Sequence, residues 1–257
     1  MLILSGNLLL ILMVRLNSQL QTPMYFFLSN LSFIDICFSS SVVPKMLVNT
    51  ISKDRSISFW GCACQMYFHL ALGSTECLIL AVMAYDRYTA ICKPLQYTAI
   101  MGRKFCLWLS ASCWAISFFN SFILTVLTFQ LPYCRSNHIS HFFCEMPPLL
   151  RLSCSDIWLN EVAEYISGIL IALGSCLLIF GSYLCIAMTI VKTQSTKERQ
   201  KAFSTCASHI LVVSLYYGTV MFMHLRQRSS YSAKQDRIVS ILYTVIIPML
   251  NPMIYSI

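Results

Sequence analysis

An acidic, a basic and a phenolic side chain follow one another at Asp86, Arg87 and Tyr88. They stand at the end of a long apolar segment, Cys62 to Tyr85, in which Glu76 is the only Asp, Glu, Lys or Arg. An arginine in this position can pair with the neighbouring carboxylate or turn into the protein to meet another partner. The three residues therefore indicate a conformational switch at a membrane face, because they do not form the set that an active site needs.

Two further acids, Asp35 and Glu76, lie inside apolar segments. A carboxylate at the centre of a membrane helix costs about 2.5–3.5 kcal/mol on insertion scales. Asp35 lies 12 residues after Pro23, and Glu76 lies 11 residues before Arg87. At about 1.5 Å per residue, both acids are expected roughly 17 Å above the cytoplasmic end of their helices.

Two carboxylates at one depth are expected to share a cation or a proton, because neighbouring like charges do not both ionise cheaply. One interpretation is a sodium site, in which Asn251 and Ser74 supply further oxygen atoms. The other is a protonated pair that is hydrogen-bonded to the last helix. We prefer the sodium site.

The composition is that of a membrane protein. Hydrophobic residues make up 57% of the chain and charged residues 11%, whereas a soluble domain has about 25% charged residues. Because roughly 20 apolar residues cross a bilayer, the recurring apolar runs predict an all-α membrane protein: one domain, a bundle of seven transmembrane helices. The first run is too short to span, and we interpret it as the inner part of a helix whose outer turns and preceding tail are missing. The predicted helices cover approximately residues 1–16, 24–48, 59–90, 105–128, 159–191, 201–225 and 236–257.

Lys and Arg residues normally mark the cytoplasmic face, but here each face carries nine of them. The cysteines therefore decide which face of the bundle is outside. Cys134, Cys144 and Cys154 share the long loop after the fourth helix, and Cys62 lies at the same face. Disulfides form on the oxidising side of a membrane, so this face is predicted to be outside and Asp86 to be cytoplasmic. The formal net charge of +8 then lies largely beside lipid headgroups and needs no nucleic-acid partner.

The same outer loop also has the spacing of a metal site, with Cys134, His138, His141 and Cys144 as ligands that suit zinc or copper. Outside the cell these thiols are expected to be oxidised, so we prefer disulfides to a metal centre. Four outer cysteines allow three pairings, and the spacing alone does not choose among them.

The sequence contains none of the common catalytic motifs. It has no H-E-x-x-H, no G-x-S-x-G and no glycine-rich phosphate loop. Asp35 and Glu76 lack the motif context of an intramembrane protease. We therefore predict that the protein is not an enzyme.

Six separate stretches share one family pattern, in order and at the expected spacing. They are Gly6-Asn7, Pro23-Met24-Tyr25-Phe26-Phe27-Leu28-Ser29 with Asp35, the run at Asp86 with Lys93-Pro94-Leu95, Ser182-Tyr183, Lys201-Ala202-Phe203-Ser204-Thr205-Cys206-Ala207-Ser208-His209, and Pro248-Met249-Leu250-Asn251-Pro252-Met253-Ile254-Tyr255. In these stretches the chain resembles the odorant receptors, a family of rhodopsin-like G-protein-coupled receptors. The departures are Thr89, where the family usually has an aliphatic residue, and Trp60, where a small residue is commoner.

The resemblance implies a receptor that binds a small volatile odorant within the bundle and activates a stimulatory G protein to raise cAMP. It implies a multi-pass protein of the plasma membrane, located in the cilia of olfactory sensory neurons. It also implies disulfides between Cys62 and Cys144 and between Cys134 and Cys154. Cys64 is then left over, and we expect it to be a buried thiol.

The resemblance gives the Asp86-Arg87-Tyr88 run a mechanism. In the resting state Arg87 is expected to be locked by Asp86, and on activation it turns towards Tyr183 and Tyr255. Lys201 and Ser204, at the inner end of the sixth helix, then move outwards. The alternative is an arginine that merely reaches the lipid headgroups. The resemblance also supports sodium, as an allosteric ligand, at the two acids.

The ligand site is inferred from where the family's helices face one another. Gly73 is expected to open space in it, and His209 is interpreted as a packing or switch residue rather than a ligand contact. Ordinary helix packing is the alternative for every member. The predicted contacts are His69, Leu70, Gly73 and Ser74 on the third helix, Ser167 and Ile171 on the fifth, Tyr217, Val220, Met221 and His224 on the sixth, and Ile241 and Thr244 on the seventh.

Two rival functions stay open at this stage. A transporter or channel could use Asp35 and Glu76 as an ion path, although duplicated halves and paired broken helices are absent from the sequence. A receptor remnant without function is the second rival, since a shortened first helix could prevent folding or export.

Overall fold

The computed structural model of the chain is almost wholly helical. It describes residues 1–52, 54–134, 138–139, 141, 143–193, 195–225 and 239–256, with the side chains of 198, 201, 223–225 and 256 left out. Seven principal helices run through these residues. They are α1 Leu2–Leu16, α2 Pro23–Ile51, α3 Phe59–Cys92, α4 Arg103–Phe129, α5 Trp158–Lys192, α6 Thr196–Leu225 and α7 Val239–Tyr255.

The helix bounds follow the apolar runs, with one correction at the inner face. The polar stretch 192–200 was expected to be a loop, but α6 already begins at Thr196. Lys, Arg, Glu and Gln are good helix formers, so the helix continues beyond the apolar run instead of ending with it. Before and after α7, the predicted helix residues 236–238 and 257 lie outside the described residues.

Five of these helices, α2 to α6, are long and apolar enough to cross a membrane, while α1 and α7 are shorter apolar helices. Large apolar side chains cover their outer surfaces, among them Phe119 of α4 and Leu170, Leu178 and Phe180 of α5. In lipid such side chains are well solvated, and a helix satisfies its own backbone hydrogen bonds. The bundle is therefore a membrane structure.

α3 is the central helix, and it packs against α2, α4 and α5. A half-buried asparagine joins two of its neighbours: Oδ1 of Asn30 in α2 accepts hydrogen bonds from Ser110 (2.9 Å) and Trp114 (3.2 Å) of α4. The side-chain nitrogen of Asn30 donates to the Phe26 carbonyl at 2.9 Å. All the polar atoms of this amide are thus used inside the bundle.

The loop between α4 and α5 forms a lid, which we define as the described residues from Gln130 to Ile157. Tyr133 anchors its start, since its hydroxyl donates to the Thr128 carbonyl at 2.7 Å and burial raises the pKa of Tyr133 to about 12. A bridge between Tyr133 and Ser153 brings the two ends of the lid together. The lid therefore folds back across the end of the bundle instead of extending from it.

Two disulfides hold the lid, with the pairing that the resemblance implies. Cys62 and Cys144 have Cα atoms 5.4 Å apart and join α3 to the lid, while Cys134 and Cys154, at 5.9 Å, close the lid on itself. The thiols of the alternative metal set are consumed in these bonds. The prediction that Cys64 is buried is wrong, because it is exposed: two residues along a helix turn a side chain by about 200° from Cys62.

The Cys62–Cys144 bond makes a first prediction. Replacing Cys144 by serine removes about 2–4 kcal/mol of stabilisation and frees the lid from α3, so we expect surface display of the C144S variant to be lost. Antibody labelling of intact cells measures this. Cys64→Ser is the matched control and is expected to reach the surface normally. Normal display of the Cys144 variant would show that the bond does not hold the fold.

Candidate ligand site and intracellular switch

Glu145, beside the bridged Cys144, connects the lid to the bundle below it. Its side chain is buried, and its carboxylate accepts a hydrogen bond from the Tyr243 hydroxyl of α7. One carboxylate oxygen lies 3.9 Å from Nε2 of His69 in α3, and the other lies 3.8 Å from Nε2 of His141 in the lid. Glu145 thus joins three parts of the chain. Sequence reasoning missed it, and its only signal was an acid next to a disulfide.

Aromatic rings surround the His69 imidazole beneath this carboxylate. The ring centroids of Phe38, Phe143 and Tyr243 lie 5.1, 4.9 and 5.7 Å from that of His69. Nδ1 of His69 is buried and makes no hydrogen bond within the described part of the chain. The predicted ligand residue His69 is therefore a polar group in an apolar, aromatic enclosure.

The other predicted ligand residues differ in how the structure holds them. Some have polar atoms with partners inside the protein: the Ser167 hydroxyl accepts a hydrogen bond from Asn120 of α4 at 2.7 Å, and the Thr244 hydroxyl donates to the Ser240 carbonyl at 2.6 Å. Ser167 is therefore held by α4 instead of standing free at a cavity. The side chain of His224 lies outside the described residues. The rest are packed: Ile171 and Tyr217 are buried in the main core with Val220 against it, Leu70 adjoins the core under the lid, and Ser74, Met221 and Ile241 are half-buried.

Gly73 does not open an empty space as predicted. The Tyr216 hydroxyl donates to the Gly73 carbonyl at 2.8 Å, and a Cβ on Gly73 would lie 3.8 Å from that hydroxyl oxygen. The neighbouring Tyr217 hydroxyl contacts the Ser175 hydroxyl and lies 3.4 Å from the Cys77 carbonyl. Two tyrosines of α6 thus reach α3 at and beside Gly73, a contact that sequence reasoning missed.

Two π-helical turns border this region, Ile169–Leu173 in α5 and Leu242–Ile246 in α7. They contain the predicted contacts Ile171 and Thr244, and also Tyr243. Such turns are rare and frequently lie at functional sites, because the extra residue rotates the side chains that follow. Their presence in both helices supports the position of the predicted ligand site.

The two membrane acids lie together with Asn251 in the middle of the bundle. Asp35 is fully buried and accepts a hydrogen bond from Nδ2 of Asn251 at 2.9 Å, while Glu76 is 2% exposed and within electrostatic range of Asp35. One oxygen atom on each of the three side chains is buried without a hydrogen-bond partner in the described residues. Three unsatisfied oxygens in one place fit a small hard cation.

At the inner face Asp86 has a partner that sequence reasoning missed. Asp86 accepts a hydrogen bond from the Tyr97 hydroxyl at 2.9 Å. Burial and the nearby Asp86 carboxylate raise the pKa of Tyr97, so this phenol keeps its proton. In the described residues Asp86 and Arg87 make no direct ion pair, although the Arg87 charge lies within electrostatic range of the Asp86 carboxylate, so the predicted lock stays a prediction.

Arg87 instead borders an inner groove of about 290 Å³ between α3, α5 and α6. Its Nε is buried without a hydrogen-bond partner among the described residues, and its charge is within electrostatic range of Tyr183 and Tyr255. The Tyr255 hydroxyl is likewise buried without a partner there. Arg87 thus lies within electrostatic range of the two tyrosines, and its turn towards them on activation stays a prediction. Tyr88, the third residue of the run, has the Lys93 ammonium 5.6 Å from the centre of its ring. The side chain of Lys201, also predicted as part of the switch, lies outside the described residues.

His209 lies above the groove and joins three helices. It is fully buried, its Nε2 lies 3.2 Å from the Leu80 carbonyl of α3, and its Nδ1 lies 2.7 Å from the Tyr183 hydroxyl of α5. Because a carbonyl only accepts hydrogen bonds, Nε2 carries the proton and Nδ1 of the neutral ring accepts from Tyr183. His209 is thus held on both sides.

Comparison with known proteins agrees with this geometry. A profile of the olfactory receptor family matches residues 1–257. The chain is 50% identical to mouse olfactory receptor 5AP2, over 98% of this chain and 79% of that protein. It is 49% identical to olfactory receptor-like protein OLF1 of Canis lupus familiaris (99% and 82%) and 51% identical to human olfactory receptor 1F1 (98% and 80%).

The chain belongs to the olfactory receptor family. The fold of this receptor is that of squid rhodopsin, whose crystal structure superposes with a TM-score of 0.77 at 19% identity, over 99% of this chain and 73% of the other. The protein is thus a multi-pass membrane receptor with the seven-helix fold. The family is a receptor family and not an enzyme family, which confirms that prediction and disfavours a transporter.

The contact between Tyr183 and His209 makes a second prediction for this receptor. Tyr183→Phe leaves Nδ1 of the buried His209 without its donor, at a cost of about 1–3 kcal/mol. We expect a lower melting temperature of the purified receptor in detergent, measured by light scattering as the protein aggregates on heating. Tyr165→Phe removes a hydroxyl from an exposed position of the same helix and is expected to change nothing. Equal melting of both variants would contradict the assigned hydrogen bond.

Proposed function

We propose that this receptor binds small volatile odorants between its helices, under the lid, and activates a stimulatory G protein that raises cAMP. We place it in the plasma membrane of olfactory sensory cilia. An odorant that binds the active arrangement better shifts a pre-existing equilibrium, by no more than its differential affinity for the two arrangements.

The ligand half of the proposal is supported by the enclosure around His69. Small-molecule sites are mostly apolar, with a few placed polar groups. Phe38, Phe143 and Tyr243 supply aromatic walls, and the Cys62–Cys144 bond holds the lid above them. Two π-helical turns shape α5 and α7 at the same end of the bundle. A volatile molecule with one polar atom matches this chemistry.

The signalling half is supported by the position of Arg87, which makes no direct ion pair with Asp86 in the described residues and borders the inner groove. Its Nε is buried without a hydrogen-bond partner there, which is unfavourable, so a docking helix that supplies acceptors is stabilised at this groove. The outward movement of α6 widens this groove, which is a known way for receptors to admit a G-protein segment.

Arg87 makes the third prediction. Arg87→Ala removes the charge that a G-protein segment meets, so we expect odorant-evoked cAMP to be abolished while surface labelling stays near that of the unmodified chain. Arg103→Ala, at an exposed position of the inner face, is the matched control and should signal normally. If the Arg87 variant still produced odorant-evoked cAMP, Arg87 would not be part of the switch. A broad odorant panel that evokes no cAMP from the surface-displayed unmodified chain would overturn the proposed function.

We propose in addition that sodium binds at Asp35, Glu76 and Asn251. The three unsatisfied oxygens there, two of them from carboxylates, support a small cation. Such an ion would neutralise two like charges that are otherwise costly at this depth.

The sodium site makes the fourth prediction. Replacing sodium by potassium at constant ionic strength is expected to lower the melting temperature of the purified receptor, because anything that binds only the folded state stabilises it. Asp35→Asn should make melting the same in both salts, since it removes one of the two charges. A variant that keeps the full difference would place the ion elsewhere, and an unmodified receptor without any difference favours the shared proton.

A further inference from the structure

Among the polar groups of the proposed ligand site, His69 has hydrogen-bonding capacity that the fold leaves unused. The hydroxyls of Ser167, Tyr217 and Thr244 contact partners inside the receptor. Nδ1 of His69 is buried and has no such partner in the described part of the chain. An odorant that pairs with this nitrogen therefore satisfies a group that is otherwise unsatisfied, which is the strongest basis for polar selectivity.

Glu145 decides what Nδ1 can offer. A neutral imidazole carries one N–H and one lone pair, and the surroundings select which nitrogen has the proton. Nε2 of His69 faces the Glu145 carboxylate at 3.9 Å, a distance at which the negative charge favours the proton on Nε2. Nδ1 is then the lone-pair nitrogen. The Tyr243 hydroxyl fixes the carboxylate from α7, so its position does not depend on His69 alone.

We propose, on the basis of the ligand site proposed above, that Glu145 is a positioning residue that keeps Nδ1 of His69 as a hydrogen-bond acceptor, and that the receptor consequently prefers odorants that donate a hydrogen bond. Alcohols and phenols belong to this class. Ethers, ketones and esters, which only accept hydrogen bonds, do not satisfy Nδ1.

The test compares an alcohol, its methyl ether and the corresponding ketone of one carbon skeleton on the full receptor in cells. Concentrations for half-maximal cAMP, normalised to surface labelling, are measured at neutral pH. We expect the alcohol to be more potent by roughly tenfold or more. This measurement on the unmodified chain does not depend on whether any variant folds.

Variants separate positioning from a merely structural role. Glu145→Gln removes the negative charge that favours the proton on Nε2 of His69, while the amide oxygen can still accept from Tyr243, so the preference for the alcohol over the ether and ketone should weaken. Glu145→Asp restores the charge and should restore the preference. Asp54→Asn, an exposed outer carboxylate outside the proposed site, is the matched control and should leave it unchanged.

Three outcomes would overturn the inference. Equal or better responses to the ether and ketone at neutral pH would leave the proposed function standing but assign the wrong ligand class. An equal loss of all three responses in Glu145→Gln, without a change in their order, would reduce Glu145 to a structural tether of the lid. If the unmodified chain reaches the surface and no odorant evokes cAMP, both the inference and the proposed function on which it rests are overturned.

Discussion

Hydrogen bonds from α6 side chains to backbone carbonyls of α3 form a seam on which the rest of the receptor depends. The acceptors lie four and three residues apart, so they share one face of α3. The donors are the adjacent Tyr216 and Tyr217 and, about two turns earlier in α6, His209. The pairs of the seam are Tyr216 with Gly73, Tyr217 with Cys77 and His209 with Leu80, at 2.8, 3.4 and 3.2 Å.

The strength of this seam suits a receptor that has to open. Side-chain hydrogen bonds between membrane helices average about 0.6 kcal/mol, so three of them contribute roughly 2 kcal/mol. Allosteric coupling energies are typically about 1–3 kcal/mol. The seam is thus stable enough to hold α6 against α3 at rest, and an odorant of ordinary differential affinity is able to overcome it. A seam of charged pairs would be too strong for this purpose.

The sequence predicts those features of the receptor that local composition determines. Apolar runs predict the helices, and the family pattern places Asp35 beside Asn251 and Arg87 beside Tyr183, because these residues stand in stretches with fixed spacing. It could not predict that Glu145 meets His69, since the two are brought together by a disulfide and a folded lid. The π-helical turns are also invisible in the sequence, because tertiary packing decides where a turn takes in an extra residue. The hydrogen bond from Tyr97 to Asp86 was missed for a similar reason, since the folded inner loop brings the two side chains together.

Three polar groups of α3 keep unsatisfied atoms at three depths, and this pattern links the ligand site to the switch. They are His69, Glu76 and Arg87, which are 7 and 11 residues apart along the helix, or roughly 10 and 17 Å. Lipid cannot satisfy such atoms, and buried polar groups are costly unless a partner meets them. Under the proposals above, each of the three groups is completed by a bound partner: an odorant at the top, a cation in the middle and a signalling partner at the inner face. Because one helix carries all three, we expect a partner bound at any one of them to change the balance of arrangements that the other two experience.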